Sequence, residues 1–167
     1  PVLLGWVARA DAAGVVVVER WGAPGPRPQR RRVREEGGAQ GFRLLEKSGL
    51  RRKSRGAGPL LRAFLDPAPR LELGALLGRR KLASAMIDIS DGLSVDLSHV
   101  CEESGVGAEV EASRIPISSA LRRFSKDPLA LALNGGEDFE LLFTVRPAQL
   151  AIVRKLPSRF KLTMIGR

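Results

Sequence analysis

The chain has 167 residues, of which 44% are hydrophobic and 5% aromatic, and its formal net charge is +10. This length suits one ordinary domain, or one and a fraction, with a real core, and the composition excludes disordered and fibrous proteins. The single cysteine excludes an internal disulfide framework and is typical of a reducing compartment. Because no apolar stretch is long enough to span a bilayer and no basic region precedes an apolar run at the N-terminus, we expect a cytoplasmic protein without a membrane partner.

The excess positive charge is confined to the first half of the chain. Residues 1–81 hold 18 Lys and Arg against 7 Asp and Glu, whereas residues 82–167 hold 10 against 11. Such asymmetry can indicate a basic arm that binds nucleic acid. The aromatic residues of the first half are widely scattered, however, so no platform for base stacking is indicated. We therefore do not expect nucleic acid as a partner.

The first sixty residues hold one short apolar segment followed by irregular basic sequence. Residues 15–18 are four valines and predict a β-strand. We assign residues 1–20 to a remnant of a preceding domain. Residues 21–63 form a basic segment rich in Pro, Gly and Arg, which predicts partly irregular structure. The arginine-rich part, residues 24–40, is either a genuine basic insertion or the product of a shifted reading frame, and the sequence leaves both open.

From residue 64 onward, predicted helices and strands alternate. An apolar helix around residues 60–65 is stopped by Pro67, and a second short helix precedes Gly78. Strands are predicted at residues 85–87, 108–112, 137–145 and 160–165, and helices beginning near Gly92, Ser118, Pro128 and Pro147. This alternation predicts an α+β domain over residues 64–167, with a mixed β-sheet and helices packed on it. The side chains expected in its core include Met86, Ile87, Ile89, Leu93 and Leu97.

The most informative stretch runs from Ala85 to Leu97 and reads AMIDISDGLSVDL. Its residues Asp88, Ser90 and Asp91 lie where the predicted strand gives way to a helix. Close carboxylates repel each other unless a cation joins them, and Mg²⁺ binds carboxylate and phosphate oxygens. The alternative is helix capping, in which Ser90 or Asp91 accepts hydrogen bonds from the first turn and Asp96 is a solvated helix residue. Spacing alone leaves a metal–phosphate site and a cap equally open.

A second stretch, residues 134–145, reads NGGEDFELLFTV and again sets glycines and acids against an apolar strand. The two stretches together resemble the I-D-I-S-D-G-L and G-G-E-D-[YF]-E-L-L-F motifs of the thiamine-monophosphate kinases. Residues 67–74, PAPRLELG, are similar to the segment that precedes the first motif in that family. The resemblance extends from about Phe64 to Arg167.

This resemblance implies the C-terminal α+β domain of the superfamily of aminoimidazole ribonucleotide synthetase and selenophosphate synthetase, with the N-terminal nucleotide-binding domain largely absent. It implies a kinase of thiamine biosynthesis, a Mg²⁺-dependent, ATP-binding transferase that passes the ATP γ-phosphate to thiamine monophosphate and gives thiamine diphosphate. The family forms homodimers, which we do not expect here without the N-terminal domain.

Site residues carry over by motif position. The resemblance implies that Asp88 and Asp91 bind Mg²⁺ and that Ser90 contacts ATP. It places Glu137 and Asp138 on the side of the thiamine phosphate. No catalytic residue is assigned beyond the metal ligands. Two other reactive side chains are interpreted as structural: Cys101 as a core residue and His99 as a residue of the helix surface.

The sequence leaves the activity of this chain open. One interpretation is a thiamine-monophosphate kinase that is incomplete or inactive as this chain alone. Another is a non-catalytic remnant or binding module, whose basic arm binds polyanions. A third is a different ATP-dependent enzyme of the same superfamily.

Overall fold

The computed structural model describes residues 15–19, 58–65, 67 and 69–167. The predictions for residues 21–57, including the arginine-rich residues 24–40, lie outside the described residues. The strands are β1 (Val15–Glu19), β2 (Ala85–Ile89), β3 (Glu140–Val145) and β4 (Leu162–Gly166). The helices are α1 (Gly58–Leu65), α2 (Leu71–Arg79), α3 (Leu93–Ser104), α4 (Ser119–Phe124), α5 (Pro128–Asn134) and α6 (Pro147–Val153).

The described strands form one sheet in the order β2-β3-β1-β4, and every pairing in it is antiparallel. The predicted α+β fold with helices packed on a sheet is confirmed. The sheet is antiparallel where we expected a mixed one, because alternating helices and strands do not fix strand direction when connections are long. Strand β1 pairs with both β3 and β4, so it shares a sheet with residues 85–166. The predicted domain limits stay a prediction.

Two apolar clusters lie on opposite faces of the sheet, because successive residues of a strand point to opposite sides. Leu142 of β3 belongs to the first cluster and the next residue, Phe143, to the second. The first cluster comprises Ile89, Leu93, Leu97, Ile115, Leu142 and Ile165. The second comprises Leu73, Leu77, Leu82, Phe143, Val145, Val153 and Phe160. Helix α3 thus covers one face, and helices α2 and α6 cover the other.

The predicted core residues around the first motif divide into two groups. Ile89, Leu93 and Leu97 are buried, as predicted. Met86 and Ile87 are only half-buried and pack against the second and the first cluster, respectively. Their partial exposure has a simple cause, since β2 is an edge strand of the described sheet.

Three predicted strands need correction. Strand β4 begins at Leu162 rather than Phe160, because Phe160 ends the 3₁₀ turn Ser158–Phe160. Residues 108–112 make a single bridge, Val110 opposite Gly166, because the chain then enters the 3₁₀ turn Ala112–Arg114. Strand β3 begins at Glu140 rather than Glu137, because Glu137 and Phe139 have φ of 70° and 50°, which no strand residue adopts. Within the described part of the chain, none of the helices has the length and apolar character needed to cross a bilayer.

Candidate active site

The first motif is organised by Asp96, whose side chain is 2% exposed. Its Oδ2 accepts hydrogen bonds from the backbone N–H groups of Ser90 at 2.9 Å, Asp91 at 3.1 Å and Gly92 at 3.1 Å. The capping alternative, in which Asp96 is a solvated helix residue, is therefore wrong about Asp96. The sequence did offer a clue to these hydrogen bonds, because Asp96 is an acid in the first turn of a helix. Free backbone N–H groups at that end of a helix attract negative charge.

The capping interpretation of Ser90 and Asp91 is also wrong. Helix α3 begins at Leu93, and the residue at its N-cap is Gly92. Gly92 has φ 124°, and a Cβ there would lie 3.1 Å from the carbonyl carbon of Asn134. This glycine is required both by its backbone conformation and by the close approach of the Asn134 backbone.

The predicted metal ligands lie at the exposed end of this motif. Asp88 is the fourth residue of β2, and both it and Asp91 are exposed, while Ser90 is half-buried. Neither carboxylate is paired with another described side chain. The described residues also contain no group of three or more His, Cys, Asp or Glu that could hold a metal ion. A metal here would have two protein carboxylates to bind, and the site stays a prediction.

The second motif docks directly on the first through its backbone. The N–H of Glu137 donates to the carbonyl of Ser90 at 2.7 Å, and the N–H of Phe139 donates to the carbonyl of Ile89 at 2.8 Å. Gly136 makes this approach possible, since a Cβ on it would lie 2.5 Å from the Ser90 carbonyl oxygen. The fold thus brings together the two loops that hold the predicted metal and substrate residues.

A side-chain contact adds to this junction at the start of α3. The Ser94 hydroxyl lies 2.8 Å from the carbonyl oxygen of Leu133 and 2.7 Å from Oδ1 of Asn134. Both partners are at the end of α5, immediately before Gly135 and Gly136. The first turn of α3 is therefore joined to the residues that lead into the second motif.

The predicted substrate residues occupy a backbone of unusual conformation. Glu137 and Asp138 are half-buried, and the residues on either side of Asp138 both have positive φ. Non-glycine residues in this region cost of order 1–3 kcal/mol each and persist only where the surroundings hold them. Here the surroundings are the hydrogen bonds to Ile89 and Ser90. Strain of this kind is common at ligand-binding sites, so it makes this loop a candidate functional element.

Arg70 of the segment 67–74 and Glu140 of the second motif contact each other, and the sequence gives no sign of this contact. Arg70 precedes α2 and makes a bidentate ion pair with Glu140, the first residue of β3. Glu140 is buried, and this burial raises the pKa of its carboxyl group against the opposing effect of Arg70. The pair ties the 67–74 segment to the strand that follows the second motif.

The other reactive side chains have structural settings. Cys101 is half-buried and packs against the first cluster. Burial raises the pKa of its thiol, and the neighbouring Glu102 carboxylate raises it further. The thiol is therefore held protonated, as suits a core residue rather than a nucleophile. His99 is exposed on α3, as predicted.

Comparison with known proteins shows the family of the chain. The family described as AIR synthase related protein, C-terminal domain, matches residues 37–167. The chain belongs to this family. The match includes both motifs and all five predicted site residues.

Thiamine-monophosphate kinases are among the proteins similar to this chain, so the resemblance based on the motifs is confirmed. The thiamine-monophosphate kinase of Rhodopirellula baltica is 40% identical over 114 residues, covering 66% of this chain and 36% of the relative. The crystal structure of thiamine-monophosphate kinase from Stenotrophomonas maltophilia has a TM-score of 0.75 and 32% identity, covering 96% of this chain and 48% of that one. AaThiL complexed with AMPPCP and TMP has a TM-score of 0.68 and 27% identity, with 96% and 46% coverage. The chain thus spans less than half the length of each of these relatives.

Proposed function

We propose that the chain carries the C-terminal part of a thiamine-monophosphate kinase site, which passes the γ-phosphate of ATP to thiamine monophosphate and gives thiamine diphosphate. The observation that carries this proposal is the docking of the two motifs. Glu137 and Ser90 come from segments almost fifty residues apart and are joined by one backbone hydrogen bond. The complex of AaThiL with AMPPCP and TMP supports it, since that relative binds a nucleotide analogue and a thiamine phosphate.

Mg²⁺ fits the first motif. Asp88 and Asp91 offer hard carboxylate oxygens at the exposed end of an edge strand, and neither is taken up by another described side chain. Mg²⁺ is often bound by one or two carboxylates, with waters and phosphate oxygens as the other ligands. The metal would neutralise charge on the nucleotide phosphates during the transfer. The two aspartates would fix its position relative to the second motif.

Nucleotide and acceptor are assigned to adjoining loops. Ser90, between the two metal ligands, would contact ATP with its hydroxyl group. Glu137 and Asp138 would lie at the thiamine phosphate, where a carboxylate can also face the cationic thiazolium ring. Because the Ser90 carbonyl accepts from the Glu137 N–H, the two ligands would be held at a distance set by the backbone.

Direct transfer of a phosphoryl group from ATP to thiamine monophosphate requires no nucleophilic side chain of the protein. In-line transfer between two phosphates depends on positioning and on electrostatic stabilisation of the transferred group. The described residues agree with this requirement, since the half-buried Cys101 is held protonated and the exposed His99 lies on the surface of α3. We propose that the reaction takes place in the cytoplasm, with ATP and thiamine monophosphate as the two substrates.

Titration calorimetry of the chain with Mg²⁺ and AMPPCP tests the site. We expect weak, Mg²⁺-dependent binding to the wild-type chain and its loss in the double variant Asp88→Asn, Asp91→Asn. Glu103→Gln is the matched control, because it removes an exposed carboxylate of α3 outside the motifs. Equal heats from the wild type and the double variant would refute the metal site.

A further inference from the structure

We propose that Asp96, to which the sequence assigns no ligand, is the positioning residue that holds two loops together. These are residues 88–92, which carry the proposed metal ligands, and residues 135–139, which carry the proposed substrate residues. This inference rests on the proposed function. Oδ2 of Asp96 accepts three hydrogen bonds, from the backbone N–H groups of Ser90, Asp91 and Gly92. Among the described residues, these three N–H groups are the hydrogen-bond partners of the carboxylate.

The Asp96 carboxylate and the loop of residues 90–92 stabilise each other. A buried carboxylate is costly unless hydrogen bonds compensate for its lost hydration, and Asp96 is 2% exposed. Its compensation comes from three N–H groups of one loop, and its place in the first turn of α3 adds the favourable end of the helix dipole. Reorienting any of these peptide groups would leave a buried charge short of donors.

Two consecutive peptide planes transmit this constraint to the second motif. The plane between Ile89 and Ser90 presents its N–H to Asp96 and its carbonyl to the N–H of Phe139. The next plane, between Ser90 and Asp91, presents its N–H to Asp96 and its carbonyl to the N–H of Glu137. Because a trans peptide is rigid and holds N–H and C=O in opposite directions, Asp96 fixes both carbonyls by fixing both N–H groups.

The consequence is that Asp96 controls residues on both sides of the site without touching a ligand. On one side it orients the peptide groups that carry Ser90 and Asp91. On the other it aims the carbonyls that hold Glu137 and Phe139 at positive φ, a conformation that needs outside support. Loss of the carboxylate charge should therefore disturb metal binding and the second loop at the same time.

The experiment compares wild type, Asp96→Asn and Val100→Ala by two measurements. Val100 is a buried residue of α3 that lies one turn beyond Asp96 and outside both loops, so its truncation controls for lost stability. The first measurement is Mn²⁺ affinity by electron paramagnetic resonance, with the metal alone as the probe. The second is hydrogen exchange of the amides of Ser90, Asp91, Glu137 and Phe139 by NMR. If Asp96→Asn alone does not fold, Gly78→Ala, which fills open space at an exposed helix position, serves as a common stabilising background for all variants.

In Asp96→Asn we expect Mn²⁺ affinity to fall at least about 10-fold, as for other residues that orient metal ligands. We also expect the Glu137 and Phe139 amides to lose protection, although neither contacts Asp96. Val100→Ala should leave the affinity unchanged. Unchanged affinity and protection in Asp96→Asn would overturn the inference. If the wild type does not bind Mn²⁺, the proposed metal site fails, and the exchange of the Glu137 and Phe139 amides still decides whether Asp96 sets the second loop.

Discussion

Arg70 and Glu140 form a two-pronged ion pair across seventy residues of sequence. Nε of Arg70 donates to Oε2 of Glu140 and Nη2 donates to Oε1, each at 2.6 Å. The side chains are 22% and 7% exposed, respectively. Charge-assisted bonds of this geometry are among the stronger ones in proteins, and the pair joins the start of α2 to the start of β3. It supports the strand that follows Glu137 and Phe139, two residues with positive φ.

Removal of the arginine from this pair should strongly destabilise the fold. We expect Arg70→Met to lower the free energy of unfolding by about 3–5 kcal/mol, because Glu140 would be left as an uncompensated buried charge. Arg114→Met is the matched control. It removes an arginine from an exposed pair with Glu111 and should cost about 0–1 kcal/mol. Urea unfolding of both variants measures the difference, and equal costs would contradict a buried role for Arg70.

The same pair predicts a pH dependence of stability. Burial raises the pKa of the Glu140 carboxyl in the folded state above its ordinary value of 4.5, against the opposing effect of Arg70. The folded chain then binds this proton more tightly than the unfolded chain. The contribution of Glu140 to stability should therefore be present below pH 4.5 and be lost as the pH rises through the raised pKa. Urea midpoints across this window should fall more in wild type than in Glu140→Gln, and the opposite order would show that pairing with Arg70 outweighs burial.

Gly136 should resist substitution because the two motifs meet there. A Cβ at this position would lie 2.5 Å from the Ser90 carbonyl oxygen, so Gly136→Ala should cost about 1–3 kcal/mol through forced separation of the loops. Gly78→Ala should instead stabilise the fold by about 0.5–1 kcal/mol, since Gly78 lies in α2 and an added Cβ would meet no atom within 4 Å. Both values come from chemical denaturation. If the Gly136→Ala variant were as stable as the Gly78→Ala variant, the two loops could separate at no cost in free energy of unfolding.

The first motif should show different costs for its apolar and acidic residues. Leu97 is buried in the first cluster, so Leu97→Ala should cost about 2–5 kcal/mol. Asp91 is exposed and its carboxylate holds no described partner, so Asp91→Asn should cost far less, or stabilise the fold by easing repulsion with Asp88. Thermal and urea unfolding measure both variants. Unfolding of the domain by Asp91→Asn would show that this residue is structural.

The sequence predicted those parts of the fold that depend on local patterns. The apolar run of β2 and the helical spacing after Gly92 are visible in any short window, and the structure confirms both elements. Strand β3 was predicted too early, because the pattern of residues 137–139 gives no sign of positive φ. That conformation depends on carbonyls of residues 89 and 90, which lie far away in the sequence.

The roles that the sequence did not reveal are those made by contacts between distant segments. The burial of Asp96 is not visible in the sequence, because it depends on the backbone N–H groups of residues 90–92 pointing toward the carboxylate. The Arg70–Glu140 pair spans seventy positions and has no periodic signal. The motifs identified the family and the candidate ligands, whereas the contacts of Asp96 and the Arg70–Glu140 pair became visible only in three dimensions.

The last prediction concerns turnover by the polypeptide Pro1–Arg167 alone. The match to the Rhodopirellula baltica kinase covers 36% of that relative, and the described residues contain no group of three or more His, Cys, Asp or Glu that could hold a metal ion. Transfer between two bound phosphates depends on positioning and preorganised charge, and each 1.36 kcal/mol of lost stabilisation lowers the rate about tenfold.

We therefore expect little thiamine diphosphate from ATP and thiamine monophosphate, measured by chromatography with Mg²⁺ present. Addition of the N-terminal half of an intact relative should restore some turnover by supplying the facing side of the site. Asp88→Asn is the control in both mixtures and should abolish the restored activity, since Asp88 is a proposed metal ligand. Rapid turnover by the chain alone, abolished by Asp88→Asn, would show that these loops form a complete site. Absence of turnover even with the added half would count against the kinase proposal and favour a binding role for the chain.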